Sequence, residues 1–155
     1  MAGIKSVRLA IQVATLRRDQ AAAILLQMQQ SQSLAQEQMS QLKTYADETE
    51  ARWARAAQIS VTTEMMRHHY QFMDRLHQAV ILQEGVLGQW GSKVERAHTH
   101  WLETEFRVTG LKQVLKSNEA ELALVQARRE QKEMDEFAAM QTRRTAQQTL
   151  EEDRR

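Results

Sequence analysis

The sequence predicts an all-α protein, a long antiparallel two-helix coiled-coil hairpin, from the absence of helix breakers, two heptad-spaced apolar seams and a single interruption between them. There is no proline in 155 residues and only five glycines, while Ala, Leu, Met, Gln, Glu and Arg, all good helix formers, are abundant. Aromatic residues make up 5% and charged residues 26% of the chain, so its apolar side chains must lie along narrow seams instead of filling a broad interior. A thin, elongated molecule is the expectation.

The first seam appears on stepping alternately by four and three from Val7, through Ile11, Ala14, Arg18, Ala21, Leu25, Met28, Gln32, Ala35, Met39, Leu42, Ala46 and Thr49 to Trp53. All but Arg18, Gln32 and Thr49 are apolar. A 3.5-residue repeat stays on one face only if the helix supercoils about a partner. The second seam runs from Met73 through Leu76, Val80, Gln83, Leu87, Trp90, Val94, Ala97, Trp101, Thr104, Val108, Leu111, Leu115, Asn118 and Leu122 to Val125, with no phase slip.

Between the seams, Val61-Thr62-Thr63 is a β-branched run, and the hydroxyls of Ser60, Thr62 and Thr63 offer N-caps. Glu64 then suits the positive end of the following helix. This places helix 1 at about 4–57, a turn at about 58–62, helix 2 at about 62–145 and a frayed tail at about 146–155, all in a single hairpin. The simplest burial folds one arm back on the other. The arms are unequal, roughly 80 Å and 125 Å at 1.5 Å per residue. Helix 2 beyond about residue 116 therefore lacks an intramolecular partner, although Leu122, Val125, Met134, Phe137 and Met140 continue an apolar pattern. Gly85, Gly88 and Gly91 inside helix 2 mark either a bend, a close backbone approach or simple slack in an exposed helix.

Composition also narrows function. Twenty-one basic and twenty acidic residues are intermingled, leaving no basic stripe for nucleic acid. The uncharged stretch Gln20–Gln36 is rich in Gln and Ser and too polar to span a bilayer. Lys5, Arg8, Arg17 and Arg18 interrupt any signal-peptide core, so a cytoplasmic location is expected. His68-His69 and His98-Thr99-His100 lack the i,i+3 or i,i+4 spacing of ligand pairs on a helix, so no metal is expected. Glu133 with Glu136, and Glu151 with Glu152, have no enclosing pocket to shift them. Two slender helices form no concave site that excludes water, so neither a cofactor, a small-molecule substrate nor catalysis is expected.

Large side chains beside the seams are more informative. Gln38, Leu42, Tyr45 and Thr49 form one row on helix 1, and Phe72, Leu76, Ala79 and Gln83 form a matching row on helix 2. With the turn near residue 60, the rows should face each other as one patch. Tyr45 and Phe72 either broaden the seam or present a docking surface.

Tyr70-Gln71-Phe72 with Leu76 and Ala79, Gln89-Trp90 with Lys93-Val94 and Trp101, and above all Gln131-Lys132-Glu133-Met134-Asp135-Glu136-Phe137-Ala138 resemble the flagellar FliJ family, as do Gln38, Leu42 and Tyr45. The resemblance covers about Leu9 to Arg144. It implies a soluble, non-catalytic component of the flagellar type III export apparatus, with a coiled coil similar to the central stalk of rotary ATPases. It also implies, as partners, the hexameric export ATPase, whose ring assembly it promotes, the linker of the membrane export gate, and substrate chaperones. Such a protein would be cytoplasmic, with peripheral association at the inner membrane through the apparatus, and monomeric when free. By position, the gate-binding patch would be Gln38, Leu42, Tyr45, Phe72, Leu76 and Ala79. Thr49 and Gln83 depart from the aromatic residue and histidine of some relatives. The ATPase-ring end is assigned to Arg128, Arg129 and Phe137. A virulence-secretion stalk protein, or a generic coiled-coil scaffold or chaperone, would share the seams. The first would lack the Gln131–Ala138 string, and the second would not need the Tyr45/Phe72 pair.

Overall fold

A computed structural model describes residues 3–155 and consists of two helices, α1 (Gly3–Ala57) and α2 (Thr63–Glu152). No strand occurs among the described residues. The turn between them is held by Ala56, whose carbonyl accepts the amides of Ile59 and Ser60 at 3.1 and 3.3 Å. Of the three candidate hydroxyls it is Thr62 that caps α2, its Oγ1 accepting the Met65 amide at 3.2 Å, which satisfies one of the otherwise orphaned first-turn donors.

The chain divides into two compact units, one comprising Ala14–Phe106 and the other the residues up to Val13 with Arg107–Arg155. Within Ala14–Phe106 the two helices run antiparallel. Trp53 meets His69, Tyr45 meets Phe72, Gln83 reaches Ala35 and Arg18 reaches Glu105, so the partner's number rises as the α1 number falls. In the other unit the same sense holds, with Arg8 bonded to Glu119 at 3.1 Å and Gly3 packed near Asn118.

Burial follows the seams closely. Every α1 seam residue from Val7 to Trp53 is buried or half-buried, as is every α2 seam residue from Met73 to Asn118. The buried α1 positions are Ala14, Ala21, Ala35, Ala46 and Met39, and those on α2 are Met73, Leu76 and Val108. Small residues dominate on α1, while α2 brings the half-buried Trp90 and Trp101. Alternating large with small lets side chains interdigitate at helix–helix distances of about 8–10 Å.

Polar seam residues are accommodated individually. The half-buried Arg18 keeps its charge paired, its guanidinium meeting Asp19 and Glu105 at 3.2 and 3.6 Å. Gln83 Nε2 donates to the Ala35 carbonyl at 2.9 Å, and Thr104 Oγ1 donates to Trp101 O at 2.7 Å. No buried side-chain nitrogen or oxygen among the described residues lacks a partner. A polar residue bonded across a seam fixes register, because a slip leaves it unpaired.

One sequence expectation changes, and one left open is decided. The tail expected to fray over 146–155 is helical to Glu152. Thr142, Thr145 and Thr149 each bond the carbonyl four residues back at 2.8–2.9 Å, and no Gly or Pro interrupts the Gln-, Glu- and Arg-rich run. Gly85, Gly88 and Gly91 do not break α2 and adopt no positive φ. A Cβ at Gly85 or Gly88 would meet nothing within 4 Å, and one at Gly91 would touch only the Gln32 side chain, at 3.9 Å. These glycines are therefore slack in the helix, not points of close approach.

Gly88→Ala, and independently Gly85→Ala, should stabilise the hairpin by about 0.5–1 kcal/mol each through reduced unfolded-state entropy. Thermal unfolding followed by circular dichroism checks this; a fall in midpoint would show that the glycines serve a packing role.

Candidate docking site

Eight side chains on two facing helix rows make up the predicted patch, all within Ala14–Phe106, and the structure separates them by role. Tyr45 and Phe72 are in contact, ring centroids 6.0 Å apart and planes at 85°. This edge-to-face geometry suits the quadrupoles of the two rings. Both remain open to solvent, Tyr45 at 46% and Phe72 at 38%. They flank the seam as a matched pair, so each both widens the packed surface and offers an aromatic face outward.

Leu76 is buried at 8% exposure and clusters with Ala46 and Met73, whereas Leu42 and Ala79 are half-buried. These three offer less surface than the aromatic pair. Gln38 is exposed, and its Oε1 accepts from Gln83 Nε2 at 3.3 Å. Thr49 turns inward along its own helix, donating to the Tyr45 carbonyl at 2.7 Å. Thr49 and Gln83 are thus engaged with backbone carbonyls, Thr49 on its own helix and Gln83 across the hairpin.

Three contacts went unread in the sequence. His69 stacks on Trp53 with centroids 4.3 Å apart and planes within 6°, adding a layer to the seam next to the turn. Its signal was available: His69 lies four residues before Met73 and continues the alternation backwards. Lys93 lies 4.5 Å over the Trp90 ring, a cation–π contact typical of a half-exposed aromatic. The hydrogen bond from Gln83 to Ala35 depends on side-chain conformation and has no sequence signature.

In the unit containing Arg107–Arg155, the last residue of α2 that is not exposed is Asn118. Everything from Glu119 onward is open to solvent, including Arg128, Arg129 and Phe137, the last at 63%. Past Gln126, the last α2 residue that shares a groove with α1, the helix runs on to Glu152 for about 40 Å at 1.5 Å per residue. At its root, Ile4, Lys5 and Arg8 of α1 and Glu119, Leu122 and Ala123 of α2 line a shallow groove. No group of three His, Asp or Glu among the described residues is placed to hold a metal, and no helix among them is long and apolar enough to cross a membrane.

Residues 8–147 match the family described as Flagellar FliJ protein. The Flagellar FliJ proteins of Escherichia coli (strain K12) and of Salmonella typhi are each 28% identical over 120 residues, spanning 77% of this chain and 82% of theirs.

The two kinds of patch residue should respond differently to truncation. Leu76→Ala should cost about 2–4 kcal/mol by opening the Ala46–Met73 cluster, whereas Tyr45→Ala should cost less than Leu76→Ala, with the ring pair itself worth about 0.5–1.5 kcal/mol. Urea unfolding of the two variants decides, and equal losses would mean that Tyr45 is a core residue.

Proposed function

The chain belongs to the flagellar FliJ family, and from that premise we propose that it serves the flagellar protein export apparatus as a non-catalytic binder, with the Tyr45–Phe72 patch and the uncovered end of α2 engaging different partners. Members of this family are components of that apparatus. The patch, made of Gln38, Leu42, Tyr45, Phe72, Leu76 and Ala79, binds the linker of the membrane export gate. Arg128, Arg129 and Phe137, on the uncovered part of α2, enter the ring of the hexameric export ATPase and promote its assembly. Handling of empty substrate chaperones completes the role. The protein works in the cytoplasm and meets the inner membrane only through its partners.

The observation that carries this reading is the exposed aromatic pair. Two rings held edge to face by the hairpin itself lose little conformational freedom on binding, which suits an anchor residue in an interface. The uncovered helix supports the second contact, because its apolar Met134, Phe137 and Met140 are 67%, 63% and 55% exposed on a helix with nothing across from it. A stalk that carries load between partners also benefits from uninterrupted helix, and neither α1 nor α2 contains a proline.

Tyr45→Ala with Phe72→Ala should weaken gate-linker binding at least tenfold while helicity by circular dichroism is kept. Removing residues 126–155 should abolish stimulation of the export ATPase and spare gate binding. Calorimetric titration with the linker and a phosphate-release assay with the ATPase provide the readouts. Equal loss of both activities in the truncated chain would reject the division of labour.

A further inference from the structure

From Gln20 to Gln36 α1 carries no charged side chain, yet this stretch is not hidden. Ile24 is 47%, Leu26 56% and Leu34 57% exposed, and the preceding Leu16 is 60% exposed. A helix with one face on a partner normally turns charge outward on the other. Stepping by four and three from Leu16 gives Gln20, Ala23, Gln27, Gln30 and Leu34, every one exposed. This second heptad-spaced stripe lies on the side of α1 opposite Arg18, Ala21, Leu25, Met28, Gln32 and Ala35, the seam that α2 covers. Ile24 flanks it on one edge and Leu26 on the other.

We propose that this stripe is a self-association surface, on which a second copy of the chain packs its own stripe in the antiparallel sense about a two-fold axis at residue 25. Heptad spacing calls for a helix as occupant, and an uncharged face calls for an uncharged helix. The stripe supplies both, and it fits itself. Antiparallel pairing sets Leu16 against Leu34, Gln20 against Gln30 and Ala23 against Gln27. It brings Ile24 onto its own counterpart along one flank and Leu26 onto its own along the other. The nearest charges, Arg17 and Asp19, fall beside Ser31 and Ser33 of the second copy, so no like charges meet. A parallel pairing would instead lay the flank carrying Arg17 and Ile24 against the flank carrying Asp19 and Leu26, setting the Asp19 carboxylate beside the apolar Ile24 of the second copy. Gln20 and Gln30 each carry donors and an acceptor and can bond amide to amide across the contact.

The contact is short. Residues 16–34 span about 28 Å, and one helix stripe of that length, half of it glutamine, makes a small and polar contact beside stable interfaces, which bury roughly 1,200–2,000 Å². The chain is therefore monomeric when dilute and dimerises with a dissociation constant on the order of 10–100 µM. The proposal stands independently of the export role.

Sedimentation equilibrium of the full chain over a range up to about ten times that constant should show the mean mass rising from 18.0 kDa towards twice that value. Ile24→Glu and Ile24→Lys should each stay monomeric, and an equimolar mixture of the two should associate again. Because the chain contains no cysteine, Leu26→Cys treated with diamide should cross-link between copies, and Lys43→Cys, away from the stripe, should not. A wild-type chain that stays monomeric throughout, association unchanged in both Ile24 variants, or a mixture that fails to associate would each overturn the proposal. So would a monomeric chain that uses this face only for another protein's helix. Should the Ile24 variants lose helicity, the cross-link decides alone, and a Leu26→Cys yield no higher than that of Lys43→Cys counts against it.

Discussion

A helix cannot hide a stripe of apolar residues that recurs every 3.5 positions; only a second helix laid along it can. Nearly everything in this protein depends on that constraint being met within one chain. Within Ala14–Phe106 the five-residue turn returns α2 alongside α1, and the seam from Met73 to Thr104 closes over the seam from Ala14 to Trp53. In the other unit Val108 to Asn118 lie along Val7 and Ile11. A two-helix layer has little interior, and few residues fall below a tenth of their full exposure. Stability must come from the length of the contact and from register, not from a deep core. The alanines of α1 permit close approach, and Gln83, bonded to the Ala35 carbonyl, penalises any slip.

The same thinness accounts for the functional character of the surface. With no third layer, a residue one position off the seam is already half in solvent. Tyr45 and Phe72 are of this kind, held by each other at 6.0 Å and adjacent in the chain to Ala46 and Met73, which cluster with Leu76. A docking site on such a fold needs no pocket; it needs two helices in fixed register, so that side chains far apart in sequence stand together. The unequal arms have a comparable effect at the other end of α2. Leu122 and Val125 continue the seam alongside the first turns of α1, where they are 40% and 39% exposed, and Leu122 shares a shallow groove with Ile4, Lys5 and Arg8.

Periodicity made most of this legible in the sequence. The alternation of four and three predicted the buried and half-buried seam residues of α1 and those of α2 as far as Asn118, because wherever the two helices lie side by side heptad position decides burial. The facing of residues 45 and 72 followed from their similar distance to the break. What escaped depended on finer balances. The last turns of α2 lose the apolar spacing but keep helix formers and threonine back-bonds, so loss of amphipathicity did not mean loss of helix. The stack of His69 on Trp53 was missed because histidine is polar by type, although its position continues the seam. Whether Gln83 would face solvent or bond across the hairpin was settled by its side-chain conformation, which no spacing rule contains.

The most direct test of intramolecular seam closure is a distance between spin labels on cysteines placed at Lys43 and His77, exposed residues beside facing stretches of the two seams, in chain diluted with unlabelled protein. Helix axes about 8–10 Å apart predict a single short distance that does not change on dilution. A distance near 50 Å, as residues 34 apart would show along one continuous helix at about 1.5 Å per residue, or a short distance that vanishes on dilution, would contradict the account.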